Sequence, residues 1–208
     1  VRGDTLERIL DHLRRKDEAF VKRYAERRLL AAFVQVCLTI DYAHSRGVLH
    51  RDLKPGNVML GDFGEVYVLD WGLAKIVNEN QPEGIEDTDR TNGDRRSSTR
   101  LGVAPRGGPE GLSSDDGALT VEGALLGTPA YMAPEQVMGY DAVDARADVY
   151  ALGAILFEIL TLSRLRTATR MDEIMKAALM GVSTHPKERL PSVAPELDAL
   201  CAAALAQS

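Results

Sequence analysis

The stretch HRDLKPGN, residues 50 to 57, gathers three side chains suited to handling a phosphate group. Asp52 is a carboxylate able to act as general base. Lys54 can place positive charge on a transferring phosphate. Asn57 can ligate a divalent cation through its amide oxygen. A carboxylate should complete such a cation site, and the chain offers two in nearly identical settings: Asp62 in Asp62-Phe63-Gly64 and Asp70 in Asp70-Trp71-Gly72.

The elements around the loop decide between them. Residues 58 to 60 and 66 to 69 are short β-type runs flanking Gly61-Asp62-Phe63-Gly64, a hairpin signal with glycines for the turn. A strand rises about 3.3 Å per residue, so Asp62 is carried about 15 Å from Asn57. The returning strand brings Asp70 back level with Asn57. An amide oxygen beside a carboxylate makes a hard oxygen site suited to magnesium. Asp62 reads as a turn residue.

Helices frame this loop. Residues 4 to 16 read as a short helix capped by Asp4 or Thr5, with Leu6, Ile9, Leu10 and Leu13 on one face. A longer one is expected from about Lys22 to Ser45, with Leu29, Phe33, Val36 and Ile40 in its stripe and Gly47 as its stop. Residues 144 to 162 carry Val149, Leu152, Ile155, Leu156, Ile159 and Leu160 around most of the circumference, as in a helix buried mid-domain. Residues 171 to 180 and 196 to 206 are further helical patterns, the last opened by Pro195. Between 78 and 120 the chain has seven glycines, many acidic and Ser/Thr residues, and no aromatic residue. Such a stretch cannot bury enough apolar surface to offset its ordering entropy, so a disordered insertion is expected.

Composition excludes several classes. The 208 residues are 45% hydrophobic and 27% charged, ordinary globular material, and the net charge of −6 argues against nucleic acid. Cys37 and Cys201 lie in apolar helical patterns and read as core fillers in a reducing, cytoplasmic setting. No apolar run approaches the roughly 20 residues of a membrane span. Residues 1 to 28 are charged throughout, unlike a signal peptide, and their alternating signs read as a solvated helix face.

Four motifs, in order, resemble the protein kinase family: HRDLKPGN at 50 to 57; DWG at 70 to 72, with Trp71 for the usual Phe; GTPAYMAPE at 127 to 135; and DARADVYALGAILFEIL at 144 to 160. Lys54 and GTPAYMAPE are similar to the serine/threonine branch, in the style of bacterial kinases of the eukaryotic type. The implied fold is mainly α (α+β): a kinase C-lobe, a helical bundle around a buried central helix, with a small β-hairpin at the catalytic loop. The whole chain would be a partial kinase domain with 78–120 inserted in the activation segment. The implied function is transfer of the ATP γ-phosphate to Ser/Thr hydroxyls of protein substrates, with ATP and Mg2+ (or Mn2+) as cofactors.

The resemblance also implies roles. Asp52 would orient the substrate hydroxyl and take its proton, and Lys54 would neutralise phosphoryl charge. Asn57 and Asp70 would hold metal, and Met59 would lie under the adenine. Arg51 would pair with a phosphate on Thr120, and Thr128 would sit near Asp52 and Lys54. His50, Trp71 and Asp148 would form an internal column, with His50 a packed core histidine rather than an acid. Glu135 would pair with an arginine beyond Ser208. A glycine-rich loop and its lysine strand do not occur upstream of Asp52. The reading is therefore a segment of a longer parent chain whose small lobe is its partner, inactive alone. The alternative is a non-catalytic, pseudokinase-like binding or regulatory module.

Overall fold

Thr5 begins the first helix by chemistry its sequence position predicts. In the computed structural model, which describes residues 2–76, 130–139, 143–167, 173, 176–177 and 181–206, α1 spans Leu6–Arg14, and the Thr5 hydroxyl accepts the Arg8 N–H at 3.3 Å. Leu6, Ile9, Leu10 and Leu13 are buried together. The helix ends with Lys16 in the left-handed region, φ 56°, its N–H donated to Leu13 O at 3.0 Å. Lys16 is exposed, so its side chain offsets little of that strain. Left-handed backbone costs an L-residue about 1–2 kcal/mol, partly cancelled by the extra freedom glycine gives the unfolded chain. Lys16→Gly should therefore raise stability by about 0.5–1 kcal/mol, read as a higher denaturant midpoint; an unchanged or lower midpoint would contradict it.

The long helix expected from Lys22 is two helices, α2 over Glu18–Arg23 and α3 over Glu26–Ser45. The break falls at Tyr24, whose backbone (φ −118°, ψ 60°) turns the ring inward to 2% exposure. Its hydroxyl donates to Asp4 at 3.1 Å. Burying one large aromatic outweighs the continued helical bond. An acidic cap opens α2: Asp17 accepts the N–H groups of Ala19 and Phe20 on one oxygen and pairs with His12 at 2.9 Å through the other.

Strand β1, Gly3–Thr5, is an addition to the expected hairpin. It pairs antiparallel with β3, Val58–Gly61, which pairs with β4, Val66–Val68. The registers are Thr5 with Met59 and Val58 with Val68. A second, two-stranded sheet joins β2, Val48–Leu49, to β5, Lys75–Ile76.

After the short α4, Pro134–Val137, comes α5, Ala145–Thr161, capped by Asp144 through the Arg146 N–H at 2.8 Å. It is the buried helix that its apolar circumference implies, except that Val149 faces outward at 42% exposure. The last helix, α6, spans Pro195–Ala204. It crosses α5 at Gly153, where an added Cβ would lie 2.9 Å from both Ala204 Cβ and Leu205 Cγ. The same crossing buries Cys201, whose thiol donates to Gly153 O and is pushed up to about 12 by burial. Both cysteines are free. Among the described residues no helix is long and apolar enough to cross a membrane. The 78–120 segment and most of the 171–180 helix lie outside the described residues.

Candidate active site

The loop between β2 and β3 is held by a buried carboxylate. Asp148, on the first turn of α5 and 1% exposed, accepts the N–H of His50 on Oδ2 and that of Arg51 on Oδ1, both at 2.8 Å. His44 Nε2 of α3 donates to the same Oδ2 at 2.8 Å. Three donors offset the desolvation of one buried charge. Arg51 adopts φ 69°, a left-handed geometry that a non-glycine residue holds only when its surroundings impose it. Its carbonyl accepts Gln136 Nε2 at 3.0 Å.

His50 is fully buried. Its Nε2 donates to Leu69 O at 3.1 Å and its Nδ1 accepts the Asp52 N–H at 3.3 Å, which assigns the proton to Nε2. The Trp71 ring lies 4.6 Å away, centroid to centroid, and its indole N–H donates to Val68 O. His50, Trp71 and Asp148 thus form one packed connection from the DWG turn to α5.

Beyond Arg51, the single 3-10 turn Pro55–Asn57 curls the chain so that Asp52, Lys54 and Asn57 meet. Lys54 Nζ lies 2.7 Å from Asp52 Oδ2. Asn57 Nδ2 donates to Asp52 O at 2.8 Å and to Oδ2 at 3.2 Å. Asp52 is 7% exposed and Asn57 6%, while the Lys54 side chain keeps 27%.

The geometry separates the two aspartate triplets. Asn57 O accepts the Leu69 N–H at 2.7 Å, directly before Asp70. Asp70 follows that pairing as an exposed residue at φ 59°. Asp62 sits in the hairpin turn, ion-paired to Arg23 at 2.6 Å. The donor chemistry near Asn57 fits magnesium: its amide nitrogen is committed to Asp52, leaving Oδ1 as the ligating end, and Asp70 supplies a carboxylate. Among the described residues there is no group of three His, Cys, Asp or Glu side chains able to hold a metal.

The remaining candidates scatter. Met59 is half-buried in the middle of the three-stranded sheet, opposite Thr5 and Tyr67. Arg51 Nε is buried with no partner among the described residues. Glu135 is half-buried in α4, and among the described residues it has no ion pair. Thr120 and Thr128 lie outside the described residues.

Three contacts were beyond the sequence reading. His44 and Gln136 are polar residues on helices, with nothing local to mark their partners. Glu158 had a signal: it is the lone acid in the apolar half of α5. It is 2% exposed, accepts the Tyr131 hydroxyl at 2.6 Å, and pairs with Arg14 of α1. Arg14 thus leaves the solvated face expected of residues 2 to 28. The Tyr131 hydroxyl is held well above the ordinary tyrosine range by burial and by the Glu158 charge.

The chain is similar in sequence to known proteins. Residues 1–97 match the protein kinase domain family model. The chain is 40% identical, over 78% of its length, to the serine/threonine-protein kinase PknD of Chlamydia pneumoniae. It is 36% identical, over 92% of its length, to that of Chlamydia caviae, and 36% over 85% to that of Protochlamydia amoebophila. It spans 16–18% of the length of these relatives.

Proposed function

The chain belongs to the protein kinase family, in the bacterial, eukaryotic-type serine/threonine branch, and from that premise we propose that it is the large-lobe segment of an ATP-dependent protein serine/threonine kinase. In this reading residues 78–120 are inserted in the activation segment, and a nucleotide-binding lobe elsewhere in the parent chain is its partner. The observation that carries the reading is the convergence of Asp52, Lys54 and Asn57, within 2.7 and 3.2 Å, on a loop pinned by Asp148.

Asp52 orients a substrate Ser or Thr hydroxyl through a carboxylate oxygen and takes its proton as the oxygen attacks. Such a base typically contributes about 10²–10⁴-fold. Its other neighbours keep it placed: Asn57 holds the Asp52 carbonyl, and Lys54 shares Oδ2 in the resting arrangement. Lys54, two fixed residues from the base and still partly exposed, turns its charge toward the transferring phosphoryl group. Asn57 Oδ1 and Asp70 hold the divalent ion, which when bound neutralises charge on the ATP phosphates. Met59 supports the adenine from the sheet. Arg51, whose Nε is buried without a partner among the described residues, would pair with an activation-segment phosphate. Thr120 as its acceptor and Thr128 as selector of the hydroxyl substrate belong to the same proposal and lie outside the described residues. We place the catalytic segment in the cytoplasm, where ATP and protein substrates are available.

The test is transfer of label from γ-labelled ATP by the full-length protein. Label should appear on Ser and Thr, require a divalent ion, and be lost with chelator. Label on Tyr, or none, would overturn the reading. The 208-residue segment alone, which carries no glycine-rich loop or lysine strand before Asp52, should give no turnover. Turnover equal to the full-length protein would show that a second lobe is not needed.

A further inference from the structure

Gln136 uses both ends of its carboxamide. Its oxygen accepts the Ala133 N–H at 3.1 Å and closes the start of α4. Its nitrogen donates across to the Arg51 carbonyl at 3.0 Å, a residue 85 positions away in sequence. That carbonyl belongs to the peptide joining Arg51 to Asp52, on the residue with φ 69°. The N–H of Arg51 is already held by Asp148 at 2.8 Å. The left-handed residue is therefore gripped from both sides, by α5 through its N–H and by α4 through its C=O. A left-handed non-glycine residue reverts to ordinary backbone unless its neighbours over-determine it. Rotation of that one peptide would swing Asp52 off the Lys54 and Asn57 contacts that define the site.

We propose that Gln136 is a positioning residue for phosphoryl transfer, clamping the strained Arg51–Asp52 peptide so that the end of the segment containing Tyr131 to Met138 sets the aim of the base. This rests on the kinase reading above. It assigns to the residue after the APE triplet a link between α4 and Asp52. A simple capping role would involve only the oxygen end.

Gln136→Glu separates the two. It keeps an oxygen for the Ala133 N–H and sets a second oxygen against the Arg51 carbonyl, where a donor was. In the full-length protein with Mg-ATP and a Ser-containing peptide, kcat should fall by about 10²-fold, the cost typical of a 1 Å misplacement. KM for ATP and the unfolding midpoint should stay near those of the natural protein. Gln136→Leu, which removes both ends, should lose kcat similarly and also lower the midpoint. Unchanged kcat in Gln136→Glu would overturn the clamp, as would a loss traced wholly to KM or to unfolding. Amide hydrogen exchange supplies a readout independent of turnover. Peptides covering residues 50 to 53 should exchange faster in Gln136→Glu while those of α5 do not, and unchanged exchange there would overturn the proposal. If the natural full-length protein transfers no phosphate, the kinase reading fails, while the exchange comparison still decides whether the clamp exists.

Discussion

Asp52→Asn in the full-length protein should lower turnover by about 10²–10⁴-fold, the typical contribution of a positioned base, and leave the unfolding midpoint almost unchanged. The two side chains have the same shape. The strongest bond of Asn57 goes to the Asp52 carbonyl, at 2.8 Å, and survives the change. What is lost is the charge facing Lys54, whose side chain remains 27% exposed. The Asp52 side chain is itself only 6% exposed, but Lys54 can turn outward and rehydrate, so losing the pair should cost nearer the surface-pair value of about 0–1 kcal/mol than that of a fully buried pair. The loss should therefore sit in kcat, with KM for ATP moving little, because the base acts on the hydroxyl rather than on the nucleotide. A radiolabel assay showing equal incorporation by both forms would remove Asp52 from the chemistry. A large fall in midpoint would make it a folding residue instead.

Glu158→Ala should have the largest effect on stability. Its carboxylate is 2% exposed and ends two long reaches: Arg14 from α1 and the Tyr131 hydroxyl from the chain leading into α4. Arg164 Nε stands 3.9 Å from it as well. Removing the acid leaves a partly buried guanidinium and a buried hydroxyl facing each other. Breaking a buried pair in this way costs about 3–5 kcal/mol. At about 2–4 °C per kcal/mol for a domain of this size, the thermal midpoint should fall by roughly 6–20 °C. The double change Arg14→Met with Glu158→Leu should recover much of that, because removing both charges together is often neutral. If the single and double variants fall alike, the pair is not coupled, and the loss belongs to packing around α5.

Much of the local geometry was legible because it depends on short-range rules. Thr5 and Pro195 open helices where capping chemistry says they should, and the helix read from 144 starts directly behind Asp144, which caps it. The Gly61–Gly64 turn let strand rise alone separate Asp62 from Asp70, and the Asn57–Leu69 bond bears that out. The break at Tyr24 was not legible, since helical periodicity continues through it. Only the tertiary bond to Asp4 shows why the ring turns in. Val149 misled for a related reason: the apolar pattern of α5 has no gap at that position, and only the packing leaves it outside. Gln136 and His44 went unread because their partners lie 85 and 104 residues away. Hydrogen bonds of that span leave no periodic trace.

Thr5 serves two structures at once: its hydroxyl starts α1, and its backbone is registered against Met59 in the sheet. The helix axis and the floor proposed for the adenine thus share a single pivot. Tipping one would tilt the other, so under the proposed kinase function shape changes along α1 would alter how snugly a purine ring is seated.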